Sequence, residues 1–279
     1  MISSPTILFG TKTVGRSFPP VSKGLVNDMT NIIVSGINGR MGRAIEEMCK
    51  GSEKFTIVGG VDINLGVPHE FPVVSDVNEL SGKADALIDF SHHSAAKVLC
   101  DYAVKTGTPV IFCTTGYTGE ELATIKEASE KVAVFRSGNM SLGINLLIEL
   151  SKKAAEILEG FDIEIIEQHH NQKLDAPSGT ALMIADGIKS VREDSEYVYD
   201  RTQVRQKRAQ NEIGIHAVRG GSIVGEHEVL FAGRNENITL RHSALSREVF
   251  ADGALKAAQY IKSKGAGMYN MSNVLEGLV

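Results

Sequence analysis

The chain has no tryptophan and only three cysteines, Cys49, Cys100 and Cys113, with no C-x-x-C pair. An odd, widely spaced set excludes a disulfide framework and fits a reducing compartment. Long apolar runs are also missing: nothing approaches the roughly 20 residues that span a bilayer. A basic excess is absent as well, since 29 Lys and Arg face 34 Asp and Glu for a net charge of −5. That balance excludes a general nucleic-acid binder. Proline is scarce at 7 residues, whereas glycine is plentiful at 28, which points to many tight strand–helix turns. What remains is 42% hydrophobic and 23% charged over 279 residues. This is enough for one large or two modest domains with their own cores. The expectation is a cytoplasmic α/β protein that meets neither membrane nor nucleic acid.

Residues 1–28 differ from the rest. They are rich in Ser, Thr, Pro and Gly, carry Lys12, Arg16 and Lys23, and hold no acid before Asp28. They read as a leader with little packed structure, an acid-poor transit peptide being the alternative. No apolar core of a secretory signal is present.

From Asn31 the pattern becomes regular. Asn31-Ile32-Ile33-Val34-Ser35 reads as a buried strand that runs into Gly36-Ile37-Asn38-Gly39-Arg40-Met41-Gly42 and then into a helical pattern. Glycines at this spacing serve a tight turn, a close approach of backbone to a pyrophosphate, and close helix–strand packing. A second strand, Phe55 to Val61, ends in Asp62, where a ribose-binding acid belongs. Ile63 and Asn64 follow without a basic partner for a 2′-phosphate, which favours NADH, although Arg40 leaves NADPH open. Further strands end in Asp89-Phe90-Ser91, Cys113-Thr114-Thr115-Gly116 and Ser137-Gly138-Asn139-Met140. In an open parallel sheet these carboxyl ends should line one cleft.

Beyond Ser141 the pattern changes. Residues 142–158 read as a long helix with Leu146, Leu147, Leu150, Ala154 and Ile157 as its apolar stripe. The strand Phe161 to Ile166 then leads to Glu167-Gln168-His169-His170-Asn171-Gln172-Lys173-Leu174-Asp175-Ala176-Pro177-Ser178-Gly179-Thr180, and a helix follows. Pro177 suits its first turn, and Asp175 or Ser178 would cap it. A helix start beside a lysine and a histidine can hold a carboxylate. A histidine beside a lysine is also a proton donor near neutral pH. The charged stretch 192–212 reads as a solvated loop, and the segments from Gly214 to His242 as an antiparallel meander. Arg247 to Lys262 is a last helix, with Met271 to Leu278 packing back on the first domain. Neither His92-His93 nor His169-His170 stands beside a carboxylate or cysteine cluster at ligand spacing, so no metal is expected.

The segments GINGRMG, Asp89-Phe90-Ser91, Thr114-Thr115-Gly116, EQHHNQKLDAPSGTA and RGGSIVGEHEVLFAG together resemble the dihydrodipicolinate (4-hydroxy-tetrahydrodipicolinate) reductase family over residues 30–279. The resemblance implies a Rossmann domain with a parallel sheet (29–140 with 247–279) and a C-terminal α+β substrate domain with a mixed or antiparallel sheet (141–246) that builds a homotetramer. It implies that NADH or NADPH reduces a small dicarboxylate, with His169 as proton donor and Lys173 as a second one. By the same resemblance His170, Gly179 and Thr180 contact the substrate. Gly36, Ile37, Asn38, Gly39, Arg40, Met41, Asp62, Cys113, Thr114, Thr115, Ser137, Gly138, Asn139 and Met140 correspond to the cofactor site. Cys113 and Met140 stand where many members carry Gly and Phe. The rivals are a dinucleotide-binding redox sensor, which leaves the His/Lys loop without a purpose, and another small-substrate dehydrogenase.

Overall fold

The computed structural model describes residues 16–17 and 29–278. Arg16 and Ser17 apart, the expected leader lies outside the described residues. In chain order the first part holds β1 (Arg16–Ser17), β2 (Thr30–Ser35), α1 (Arg40–Cys49), β3 (Phe55–Val61), β4 (Val73–Val74), β5 (Leu80–Ser81), β6 (Ala86–Asp89), α2 (Ala96–Thr106), β7 (Val110–Phe112), α3 (Gly119–Ser129) and β8 (Ala133–Arg136). The second part holds α4 (Leu142–Ile157), β9 (Asp162–His169), α5 (Gly179–Lys189), β10 (Glu196–Val198), β11 (Glu212–Arg219), β12 (Gly225–Ala232) and β13 (Asn237–Ala244). The chain ends with α6 (Glu248–Ile261), β14 (Gly267–Tyr269) and α7 (Met271–Glu276).

Seven parallel strands form the larger sheet in the order β14-β8-β7-β6-β2-β3-β4. Both faces are covered, which is why its strands read as continuous apolar runs. Ile32, Val34 and Ile88 point into one core with α1, α6 and α7. Ile33, Leu87 and Phe112 point into the other with α2 and α3. Each such side chain, fully buried, contributes about 1.5–3 kcal/mol. The C-terminal segment therefore returns to the first sheet, with Met271 wholly buried in its core.

The second sheet corrects three expectations. Its order is β10-β11-β9-β12-β13, so β9 lies between β11 and β12 where a meander would have paired them. β11 runs parallel to β9 and β12 antiparallel to it, so the sheet is mixed, as the expected fold class allowed, and only the all-antiparallel meander is overturned. The charged stretch contains β10, an edge strand parallel to β11. Arg208 there is pinned by Asp162 and Glu164 at 2.8 and 3.0 Å. Helix α4 turns Ile144, Asn145, Leu147, Ser151 and Ala155 inward, while Leu146, Leu150 and Ile157 are exposed. Apolar residues lie on more than one side of this helix, so periodicity alone does not choose the inner face.

Candidate active site

The glycine turn after β2 is built for close approach. Gly36 has φ +77°, and a Cβ there would lie 2.9 Å from the Phe90 carbonyl carbon. One at Gly42 would press on the Gly36 oxygen and lie 2.5 Å from Ile37 Cα. Asp62 accepts the backbone N–H groups of Asn38 and Asn64, each at 2.9 Å, and so ties the turn to the end of β3. Beside them opens a cleft of about 810 Å³ lined by Gly36, Gly39, Asp62, Phe90 and Ser91 among others. Its size, its glycine floor and the Asp62 carboxylate at the end of β3 fit the adenosine and pyrophosphate of a dinucleotide. Arg40 opens α1 exposed at the turn, whereas Ile37 is fully buried and presents only backbone.

At the neighbouring strand ends, Asp89 is fully buried and accepts from Ser91 N–H at 3.0 Å and Thr114 Oγ1 at 3.0 Å. Burial raises its pKa against those hydrogen bonds. It knits β6 to the Cys113–Thr115 turn. Cys113 packs against the apolar core, and its N–H donates to the Asp89 carbonyl at 3.0 Å. Met140 turns its side chain into the same core, unlike Ser137, Gly138 and Asn139, which precede it on the loop. Asn139 Nδ2 donates to Thr180 Oγ1 at 2.9 Å, joining a proposed cofactor loop to the proposed substrate loop.

On β9 alternate residues face inward, so Ile163, Ile165, Glu167 and His169 share the buried face. The loop then carries Lys173 outward to Asp175, Nζ to Oδ1 at 2.9 Å. Lys173 first, and the Gly179 N–H last, hold the Asp175 carboxyl below its ordinary pKa. Ser178 is the cap of α5, its Oγ accepting from Ala181 N–H at 3.1 Å. Pro177 therefore precedes the cap and lies outside the first turn, since a cap residue keeps extended backbone. His170 turns to Arg247, Nε2 to Nη2 at 3.5 Å. His169, Thr180 and Asn139 meet at one small cavity with Gly225, His227 and His242.

Three members of this cluster went unnoticed as functional candidates in the sequence: Glu167, Arg219 and His227. Glu167 is wholly buried, and its Oε2 accepts from His169 Nδ1 at 2.6 Å. Arg219 grips the same carboxylate with both Nη atoms at 2.8 Å. Burial alone would raise the Glu167 pKa, yet Arg219, His169 and the Ser178 N–H together hold it low. For His169 burial wins over the pull of Glu167, and its pKa is lowered. His227 stands edge-on to His169 at 5.2 Å, and burial pushes it down to about 4. The period of two that places Glu167 beside His169 was readable; the Arg219 partner came only with strand register.

A parallel nucleotide-binding sheet whose strand ends meet a histidine–lysine loop defines a nicotinamide-dependent oxidoreductase acting on a small molecule. Sequence comparison narrows the class. The family description "Dihydrodipicolinate reductase, N-terminus" matches residues 30–140, and "Dihydrodipicolinate reductase, C-terminus" matches residues 143–275. The 4-hydroxy-tetrahydrodipicolinate reductase of Caldanaerobacter subterraneus subsp. tengcongensis is 54% identical over 249 residues, covering 89% of this chain and 99% of the relative. That of Clostridium tetani is 49% identical, over 88% and 97% of the two chains. A solved structure described as dipicolinate-bound dihydrodipicolinate reductase from Paenisporosarcina sp. TG-14 superposes with a TM-score of 0.71 at 25% identity. It covers 87% of this chain and 97% of its own. The chain belongs to the dihydrodipicolinate reductase family.

Proposed function

We propose that the protein reduces 4-hydroxy-tetrahydrodipicolinate to tetrahydrodipicolinate with NADH or NADPH, a step toward diaminopimelate and lysine. The observation that carries this reading is the His169–Thr180 loop, joined through Asn139 to the cofactor side of the cleft. The dipicolinate-bound relative supports a ring dicarboxylate as what the loop receives.

When bound, the reduced nicotinamide supplies a hydride. The backbone of Gly36 to Met41 holds the pyrophosphate, and Asp62 the adenosine ribose. Cys113, Thr114 and Thr115, with Ser137 to Met140, frame the nicotinamide end. Asp62 followed by Ile63 favours NADH, while Arg40 keeps NADPH in use. Lys173, the helix-start N–H groups of Gly179 and Thr180, and His170 hold the substrate carboxylates. Lys173, half-buried, exchanges the exposed Asp175 for one of them; a pair open to solvent on the carboxylate side is worth about 1 kcal/mol, so the exchange costs little. Orientation and charge together lower the barrier. His169 then delivers the proton that quenches the ring, with Lys173 as the second donor. Residues 29–140 with 247–279 form the cofactor domain, and 141–246 the substrate domain. The latter also assembles a cytoplasmic homotetramer.

The test follows loss of reduced-nicotinamide absorbance while the substrate is generated in situ by its synthase. Rapid, substrate-dependent oxidation is expected, faster with NADH. His169→Gln and Lys173→Ala should keep NADH binding and lose about 10²-fold or more in kcat. Near wild-type turnover in either variant removes that residue from the mechanism. A folded protein that binds NADH but oxidises none with this substrate acts on another.

A further inference from the structure

Glu167 is buried completely, yet its two oxygens take four hydrogen bonds. Oε1 accepts from Ser178 N–H at 2.9 Å and Arg219 Nη2 at 2.8 Å; Oε2 accepts from Arg219 Nη1 at 2.8 Å and His169 Nδ1 at 2.6 Å. We infer that Glu167, clamped by Arg219, is a positioning residue that holds His169 with Nδ1–H on the carboxylate and Nε2 turned to the substrate cavity. The inference rests on the proposed role of His169 as proton donor.

A stabilising ion pair would need only the Arg219 fork, which already uses both carboxylate oxygens. The fork also keeps Glu167 ionised, so it can orient the imidazole and favour its cationic form without taking the proton. Strand register makes the arrangement. Arg219 on β11 lies opposite His169, and His227 on β12 lies opposite Glu167. His227 walls the ring at 5.2 Å, and its own Nε2 is engaged with Ser178 Oγ at 3.2 Å. Gly225 leaves room for Nε2, since a Cβ there would come within 3.2 Å of it. The Ser178 bond extends the effect. The same carboxylate that aims the proton donor fixes the cap of the helix whose start holds the substrate carboxylate. The charged and titratable groups around His169 are Glu167 on its own strand, Arg219 on β11, His227 on β12 and Lys173 on the loop, with His242 on β13 sharing its cavity.

Glu167→Gln keeps the shape and removes the charge. Its kcat should fall at least about tenfold, short of the ~10⁴-fold that a wrong histidine tautomer costs a serine-protease triad. The KM for NADH should stay within about twofold under the same logic. The alkaline limb of its kcat profile should move to lower pH, because the imidazolium loses a neighbouring negative charge. Glu167→Asp should recover part of both. Nitrogen NMR of the wild-type protein, assigned against His169→Gln, should show Nδ1 protonated in neutral His169. An Nε2-protonated ring in the wild type, or a Glu167→Gln enzyme with unaltered kcat and pH limb, overturns the positioning role. Should Glu167→Gln not fold, the wild-type tautomer decides alone. An active His169→Gln enzyme instead overturns the proton-donor reading, whereas an inactive one beside a fully active Glu167→Gln overturns only this inference.

Discussion

A methyl group at Gly42 would meet backbone on two sides: the Gly36 carbonyl oxygen, and Ile37 Cα at 2.5 Å. Neither can rotate away as a side-chain tip would. Gly42→Ala must therefore open the β2–α1 turn, at about 1–3 kcal/mol of overpacking strain. The N–H groups proposed to cradle a pyrophosphate move with it. We expect NADH affinity to fall about tenfold or more, that strain read as an equilibrium constant, with a lower melting temperature. Gly119→Ala is the control: a Cβ there meets nothing within 4 Å, at the first residue of α3. It should leave NADH binding unchanged. Fluorescence titration of NADH against both variants checks this, and an unaltered Kd for Gly42→Ala would contradict the close-approach role.

At the scale of elements, β9, the loop and α5 act as one unit joined at Ser178. Its Oγ caps α5 and meets His227, while its N–H binds Glu167. Ser178→Ala removes a cap worth about 1 kcal/mol and leaves the buried His227 Nε2 without a partner, about 1–3 kcal/mol more. Urea unfolding should show a loss of about 2 kcal/mol or more on those figures; a loss within error of zero would mean that α5 does not depend on this cap. Much of this unit was legible in the sequence. The apolar run, the histidine pair and the small-residue helix start follow local rules, and β9 and α5 form where those rules put them. Pro177 was misplaced by one turn because Ser178 rather than Asp175 takes the cap. The pairing of β9 between β11 and β12 was not legible, because register is decided by long-range burial and not by any one strand. For the same reason Glu167 was readable as a neighbour of His169, but Arg219 was not. The exposed Leu146 and Leu150 of α4 belong here too: the helix offers several apolar faces, and only the sheet it packs on selects one.

Over the whole molecule, the candidate substrate cleft gathers His169, His227 and His242, and this fixes a direction for acid stability. His227 is 4% exposed, faces His169, Glu167, His242 and Lys173, and has its pKa pushed down from 6.5 to about 4, mainly by burial. Between those values the unfolded chain binds a proton that the folded protein refuses. The contribution to stability is thus complete above pH 6.5 and is lost as pH falls toward 4. His169 and His242 are lowered too and act in the same sense. Glu167 is lowered from 4.5, so its share is lost in a more acidic window. Asp89, raised by burial, opposes them and favours the fold on acidification. From His227 alone, a change from about pH 7.5 to about pH 5 should cost about 2 kcal/mol by linkage. Unfolding in urea at those two pH values, at constant protein concentration, should show that loss in the wild type. His227→Gln, which has no proton to take up, should show a loss smaller by about the same amount by the same linkage. If both proteins weaken equally, the acid sensitivity belongs to other groups, and His227 is protonated in the fold as readily as in the unfolded chain.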